Sequence, residues 1–152
     1  MLINCVAYEN GQKLGDIPVS EVSDVIARPD CFVWVGLADA TPEELEQMRV
    51  EFDLHELAVE DALKRKQRPK ADFYEEHVFI VLYALDEDPV AREIAAHEIA
   101  LFAGRGVVVT LHSAELPEIE EAAARWAEHC GETAAPSAAM LVYTIADTIV
   151  DG

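Results

Sequence analysis

The stretch His55-Glu-Leu-Ala-Val-Glu-Asp-Ala-Leu-Lys-Arg-Lys-Gln-Arg-Pro-Lys70, followed shortly by Val78-Phe-Ile-Val-Leu82, places three unlike segments in a row. An acidic helix is expected over residues 54–64, with Leu57, Ala58, Ala62 and Leu63 supplying its core side. A basic exit follows, made of Lys64, Arg65, Lys66, Arg68 and Lys70. Pro69 closes it, because the residue before a proline is pushed out of helical geometry. The apolar run from Val78 then reads as a buried strand reaching residue 85.

Upstream, Leu2-Ile-Asn-Cys-Val-Ala-Tyr8 predicts a strand, and the Asn10-Gly11 pair after it is a hairpin signal leading to a second short strand over residues 14–18. Ser20 is placed to cap a short helix with Glu21 in its first turn and Val22, Val25 and Ile26 on one face, ending before Pro29. Residues 31–37 are β-branched and aromatic, which suits a central strand. Thr41-Pro-Glu-Glu44 is a capping box with proline at the first helical position, opening a helix with Leu45, Met48 and Val50 on a partly apolar face.

Downstream, residues 78–85, 94–102 and 107–112 form three successive strand patterns, the last two joined by a tight turn at Gly104-Arg-Gly106. They predict an antiparallel meander within a mixed sheet. From Pro117 the pattern becomes helical, with Ile119, Ala122, Ala123 and Trp126 on one stripe and a stop near Cys130-Gly131. A last helix carries Leu141, Ile145, Thr148 and Ile149 on one side, and its apolar pattern is still running at Val150. Residues 137–152 are therefore expected to begin a longer helix. Trp34, Trp126, Phe32, Phe79 and Phe102 are assigned to the core. The expected fold class is α/β, a mixed, mostly antiparallel sheet sandwiched between helices and forming one domain over residues 1–152.

Composition narrows the function. Of 152 residues about half are apolar, enough for one sizeable core. The formal charge of -19, from 30 acidic against 11 basic residues, argues against nucleic acid as a partner, since phosphate binding depends on Lys and Arg. Divalent cations suit that charge better, although the same excess also serves a solvated surface. Cys5, Cys31 and Cys130 are odd in number and widely spaced, which fits reduced thiols rather than a disulfide framework or zinc knuckle. No charged, apolar leader opens the chain and no apolar run reaches the ~18 residues needed to span a bilayer, so residues 1–152 are expected to be soluble by themselves.

The chemistry-bearing candidates are Glu60 and Asp61. Adjacent helical residues point about 100° apart, so at least one of these carboxylates must face solvent or a partner. They could pair with Lys64 and Arg65, each four residues on. The alternative is that they ligate a hard cation, since Mg²⁺ takes one or two carboxylates and keeps several waters. The basic run 64–70 reads either as helix-end chemistry or as a contact for anionic lipid. His55, His77, His97, His112 and His129 lack metal-ligand spacing and read as surface or strand-end residues. No nucleophile elbow, P-loop or dinucleotide fingerprint is present, and an enzyme is not expected.

Leu57-Ala-Val-Glu-Asp61 continuing to Gln67-Arg-Pro-Lys70, with Phe32-Val-Trp-Val-Gly-Leu37, Phe79-Ile-Val-Leu82 and the terminal segment from Leu141 to Asp151, resembles the cytosolic domain of CorA-type magnesium and cobalt channels. The resemblance implies a homopentamer whose cytosolic domains surround a stalk helix leading into two membrane helices, with a Gly-Met-Asn motif at the pore. It implies that intracellular Mg²⁺, or Co²⁺ or another divalent cation, bound between subunits holds the channel closed. Asp61 matches the principal regulatory carboxylate, and Glu60 and Asp147 match a second metal position. Asp151 shares a face with Asp147. The full-length protein would lie in the cell inner membrane with this domain in the cytoplasm. The stalk carboxylate expected to face Asp61 lies beyond residue 152, and the isolated domain is compatible with a monomer. Two alternatives accompany this expectation: the same domain of a related zinc transporter, and a free-standing soluble metal-binding module or enzyme.

Overall fold

The computed structural model describes residues 2–9, 12–28, 31–64, 68–74, 77–88, 90, 93–104, 106–112, 117–130 and 138–151. Seven strands form one sheet: β1 (Leu2–Glu9), β2 (Gln12–Asp16), β3 (Cys31–Ala38), β4 (Lys70–Phe73), β5 (His77–Asp88), β6 (Glu93–Gly104) and β7 (Val107–His112). Their spatial order is β2-β1-β3-β7-β6-β5-β4. Among the described residues only β3 and β7 run parallel, and every other neighbouring pair is antiparallel. The mixed, mostly antiparallel sheet and its β5-β6-β7 meander are as the residue patterns predict.

Period-2 alternation sends side chains to two separate cores. Val33, Val35 and Leu37 of β3 face one side with Val107, Val109 and Leu111 of β7, against helices α1 (Val22–Ile26), α2 (Pro42–Phe52) and α3 (Glu56–Lys64). Phe32 and Trp34 face the other side with Val108, Ile99 and Leu101, against α4 (Pro117–Cys130) and α5 (Ala138–Asp151). Strands covered on both faces carry no polar alternation, which is why β3 and β7 read as continuous apolar runs. Trp34 donates its indole N–H to Thr110 Oγ1 at 3.1 Å, so this buried indole and hydroxyl satisfy each other across the seam.

The turns follow local chemistry. Thr41 accepts from the Glu44 N–H at 3.2 Å while the Glu44 carboxylate accepts from the Thr41 N–H at 3.1 Å, completing the predicted capping box. Gly106 sits at φ 73°, a conformation that favours glycine, and a Cβ there would crowd the Cys31 carbonyl at 3.3 Å. The Asn10-Gly11 signal lies outside the described residues, but β1 and β2 pair antiparallel around it.

Three expectations need correction. Ser20 lies inside a 3-10 turn, Val19–Glu21, with no side-chain cap, and α1 starts only at Val22. Val50 is exposed on α2, where Leu45 and Met48 make the buried face alone. On α3, Leu57 and Leu63 are 58% and 42% exposed, and Val59 joins Ala58 and Ala62 in the core instead. The apolar stripe of α3 is thus narrower than its composition, and it is built of smaller side chains. A short strand, β4, also went unpredicted.

Candidate cation site

Asp61 lies on α3 one turn before its end, where the helix runs beside the sheet edge formed by β4. Pro69 directly precedes β4, which Lys70 opens. Residues two apart in a strand share a face, so Lys70 and Asp72 point the same way, towards α3. The Lys70 ammonium donates to Asp61 Oδ2 at 2.8 Å and lies 2.9 Å from Asp72 Oδ2. The same Nζ stands 5.7 Å from the centre of the Phe79 ring, within range of a cation–π contact. The three charged side chains are 27%, 22% and 40% exposed for Asp61, Lys70 and Asp72. Hydrogen bonding to Asp61, and to Asp72 with it, holds the lysine charged above its ordinary range.

An aromatic stack borders this clasp. Tyr74 stacks on His55 at 4.4 Å and on His77 at 5.1 Å. Burial, reinforced by Asp72 and Asp61, raises the Tyr74 phenol above its usual range, so it stays protonated beside the carboxylates. His55 has a structural task that spacing did not reveal: its Nδ1 accepts the Leu57 N–H at 3.1 Å and caps the start of α3.

The other two candidates stand elsewhere. Glu60 pairs with Lys64 at 3.3 Å on the exposed side of α3, as the four-residue spacing suggested. The companion pairing of Asp61 with Arg65 falls outside the described residues. Asp147 lies on α5, on the opposite face of the sheet from α3, where its Oδ2 accepts from Arg125 Nη2 at 2.7 Å. Arg125 also donates to Thr148 at 2.8 Å, pinning α4 to α5. A single chain therefore does not bring Glu60 and Asp147 together, and each of the three carboxylates faces a basic residue of its own chain.

Among the described residues no group of three or more His, Cys, Asp or Glu is arranged to hold a metal ion. Two carboxylates converging on one point suit the donor chemistry of Mg²⁺, which completes its shell with water. Here the lysine ammonium holds that point. Asp72, absent from the sequence candidates, is the second carboxylate. Its signal was the Lys70-x-Asp72 alternation.

The same α/β architecture occurs in solved structures of other proteins. It superposes on the full-length CmaX protein with a TM-score of 0.74 at 21% identity, covering 99% of this chain and 45% of that one. It also superposes on the ZntB cytoplasmic domain of Vibrio parahaemolyticus with a TM-score of 0.72 at 16% identity, covering 97% and 57%. The family model for the CorA-like Mg2+ transporter protein matches residues 30–152, and the chain belongs to that family. It is 35% identical over 109 residues to YfjQ of Bacillus subtilis, covering 71% of this chain and 32% of that protein. It is 27% identical over 119 residues to the cobalt/magnesium transport protein CorA of Thermotoga maritima, covering 78% and 34%. The chain thus spans about a third of the length of the curated relatives it matches. The family is one of transporters rather than enzymes. Among the described residues no helix is long and apolar enough to cross a membrane.

Proposed function

We propose that this chain is the cytosolic divalent-cation-sensing domain of a homopentameric CorA-type Mg²⁺ and Co²⁺ channel in the cell inner membrane, with Asp61 as its principal regulatory carboxylate. The observation that carries this reading is the convergence of Asp61 and Asp72 on one cation at an accessible edge of the sheet. The charge of -19 per chain supports it, because five such domains in a ring repel one another and a divalent cation at a boundary offsets that repulsion. A cation that binds the closed ring more tightly than the open one shifts the equilibrium towards closure.

Glu60 and Asp147 lie on opposite sides of the sheet, so a shared second metal position would have to join neighbouring subunits. In this reading α5 continues towards the stalk and membrane helices, and the basic end of α3 serves helix termination rather than lipid contact. The zinc alternative draws no support from the ZntB likeness, which concerns the fold alone at 16% identity. The family match removes the support for a free-standing enzyme.

The test is Asp61→Ala in the intact transporter, reconstituted in liposomes with a Mg²⁺-sensitive dye. The variant is expected to need about fivefold more Mg²⁺ or above to close, the lower end of an ordinary coupling energy. An unchanged closing concentration would take Asp61 out of this role.

A further inference from the structure

Lys70 does more than neighbour Asp61. Its ammonium sits between two carboxylates that belong to different elements, α3 and β4, at distances of 2.8 and 2.9 Å. In a chain of net charge -19, two acids here close on a cation that the chain itself supplies. A lysine is the side chain best suited to mimic a free ion, being a compact, strongly hydrated point charge on a flexible stem. The Phe79 ring beside Nζ offers the stem an apolar wall, which favours this pose without adding a competing donor. Partial exposure of all three side chains leaves water and ions a way in.

We infer that Lys70 is a tethered competitor for divalent cations: its ammonium is the resident cation of the Asp61–Asp72 clasp, and a divalent cation enters by displacing it. This rests on the proposed cation-sensing role of Asp61 and adds two residues to it. Asp72 becomes the second carboxylate met by the incoming ion. Lys70 sets how much of that ion is needed, because the clasp is never empty and each binding event must first break two charge-assisted contacts. Displacement also frees the start of β4 from α3, coupling ion entry to the sheet edge.

Two experiments on this chain decide the matter. In the first, MgCl₂ is titrated calorimetrically at constant ionic strength into wild type, Lys70→Met and Lys70→Arg. Removal of the ammonium with its stem kept should tighten Mg²⁺ binding about tenfold, equivalent to about 1.4 kcal/mol, whereas Lys70→Arg should bind no more tightly than wild type. Adding Asp72→Asn to Lys70→Met should abolish the gain. Equal affinity of Lys70→Met and wild type would overturn the inference.

The second experiment needs no variant and decides the question if Lys70→Met fails to fold. Acylation of Lys70 by acetic anhydride, followed by mass spectrometry, should rise severalfold with MgCl₂ above a NaCl control of matched ionic strength. No rise beyond that control means the ammonium is not displaced. Neither readout depends on gating. A flux assay in which Asp61→Ala closes normally would remove the sensing role yet leave the competition at the clasp measurable, and the reverse pattern would leave sensing intact without a competing lysine.

Discussion

Trp126→Ala should destabilise the domain by about 3–5 kcal/mol, the usual cost of deleting a buried large aromatic side chain. Trp126 is buried on α4, with its ring set edge-on to Tyr8 at 5.9 Å and to Phe32 at 5.7 Å, while Tyr8 and Phe32 stack at 4.9 Å. These three rings join α4 to the first and third strands, and edge-to-face pairs add to the area they bury. A loss of this size is a large fraction of the roughly 5–15 kcal/mol that holds an ordinary domain together. Among the described residues Trp126 Nε1 has no hydrogen-bond partner, so Trp126→Phe should recover most of the stability without loss of a polar contact. Urea unfolding followed by circular dichroism measures both variants. A cost below about 1 kcal/mol for the alanine variant would mean that α4 is not seated by this ring.

The second large effect is alkaline. Burial, with Asp16 adding to it, pushes the Cys5 thiol from 9.0 up to about 11. A group whose pKa is higher in the folded protein contributes stability that is complete below the unfolded value and disappears as pH rises through the folded one. Cys5 should therefore withdraw up to about 2–3 kcal/mol between pH 9 and 11, from two pKa units at 1.36 kcal/mol each. Tyr74 and Tyr83, raised first by burial, and Lys70, raised first by Asp61, act with the same sign. Unfolding midpoints across this range for wild type and Cys5→Ala separate the thiol from the rest. If both proteins lose stability equally, Cys5 is not the cause.

Most of the sheet was legible because its central strands carry their burial in their composition. Phe32-Val-Trp-Val on β3 and Val107-Val-Val on β7 leave no polar face, and Thr41-Pro-Glu-Glu44 announces α2 through a reciprocal hydrogen bond between residues only three apart. β4 was not legible, because four residues with alternate burial at a sheet edge look like a loop, and Pro69 before them suggests one. The face of α3 was misjudged for a related reason. Leu57 and Leu63 flank the true stripe of Ala58, Val59 and Ala62, and periodicity over nine residues cannot centre a stripe that narrow.

The site was legible in its acids and not in its cation. Asp61 drew notice through its place beside Glu60, but its partner is Lys70, nine residues on and across a change from helix to strand. Rules for neighbours on one helix look four residues ahead and stop at Arg65. Asp147 on α5 faces Arg125 on α4, far back in the chain, a pairing that only the packing of α4 against α5 reveals.

The parallel pairing of β3 with β7 has a kinetic consequence. All other strand pairs join segments that follow one another in the chain, except that β1 reaches β3 across β2, the 3-10 turn and α1. The β3–β7 seam instead waits for α2, α3 and the β4-β5-β6 strands to be synthesised, and closing a loop of that length costs about 4 kcal/mol in chain entropy. Two local sub-sheets, β2-β1-β3 and β7-β6-β5-β4, can each assemble before the seam exists, so the topology makes their docking the slow step of folding. On a ribosome, the first sub-sheet would expose the edge of β3 until β7 emerges, and Trp34, bonded to Thr110 across the seam, is the native fluorophore that marks its closing.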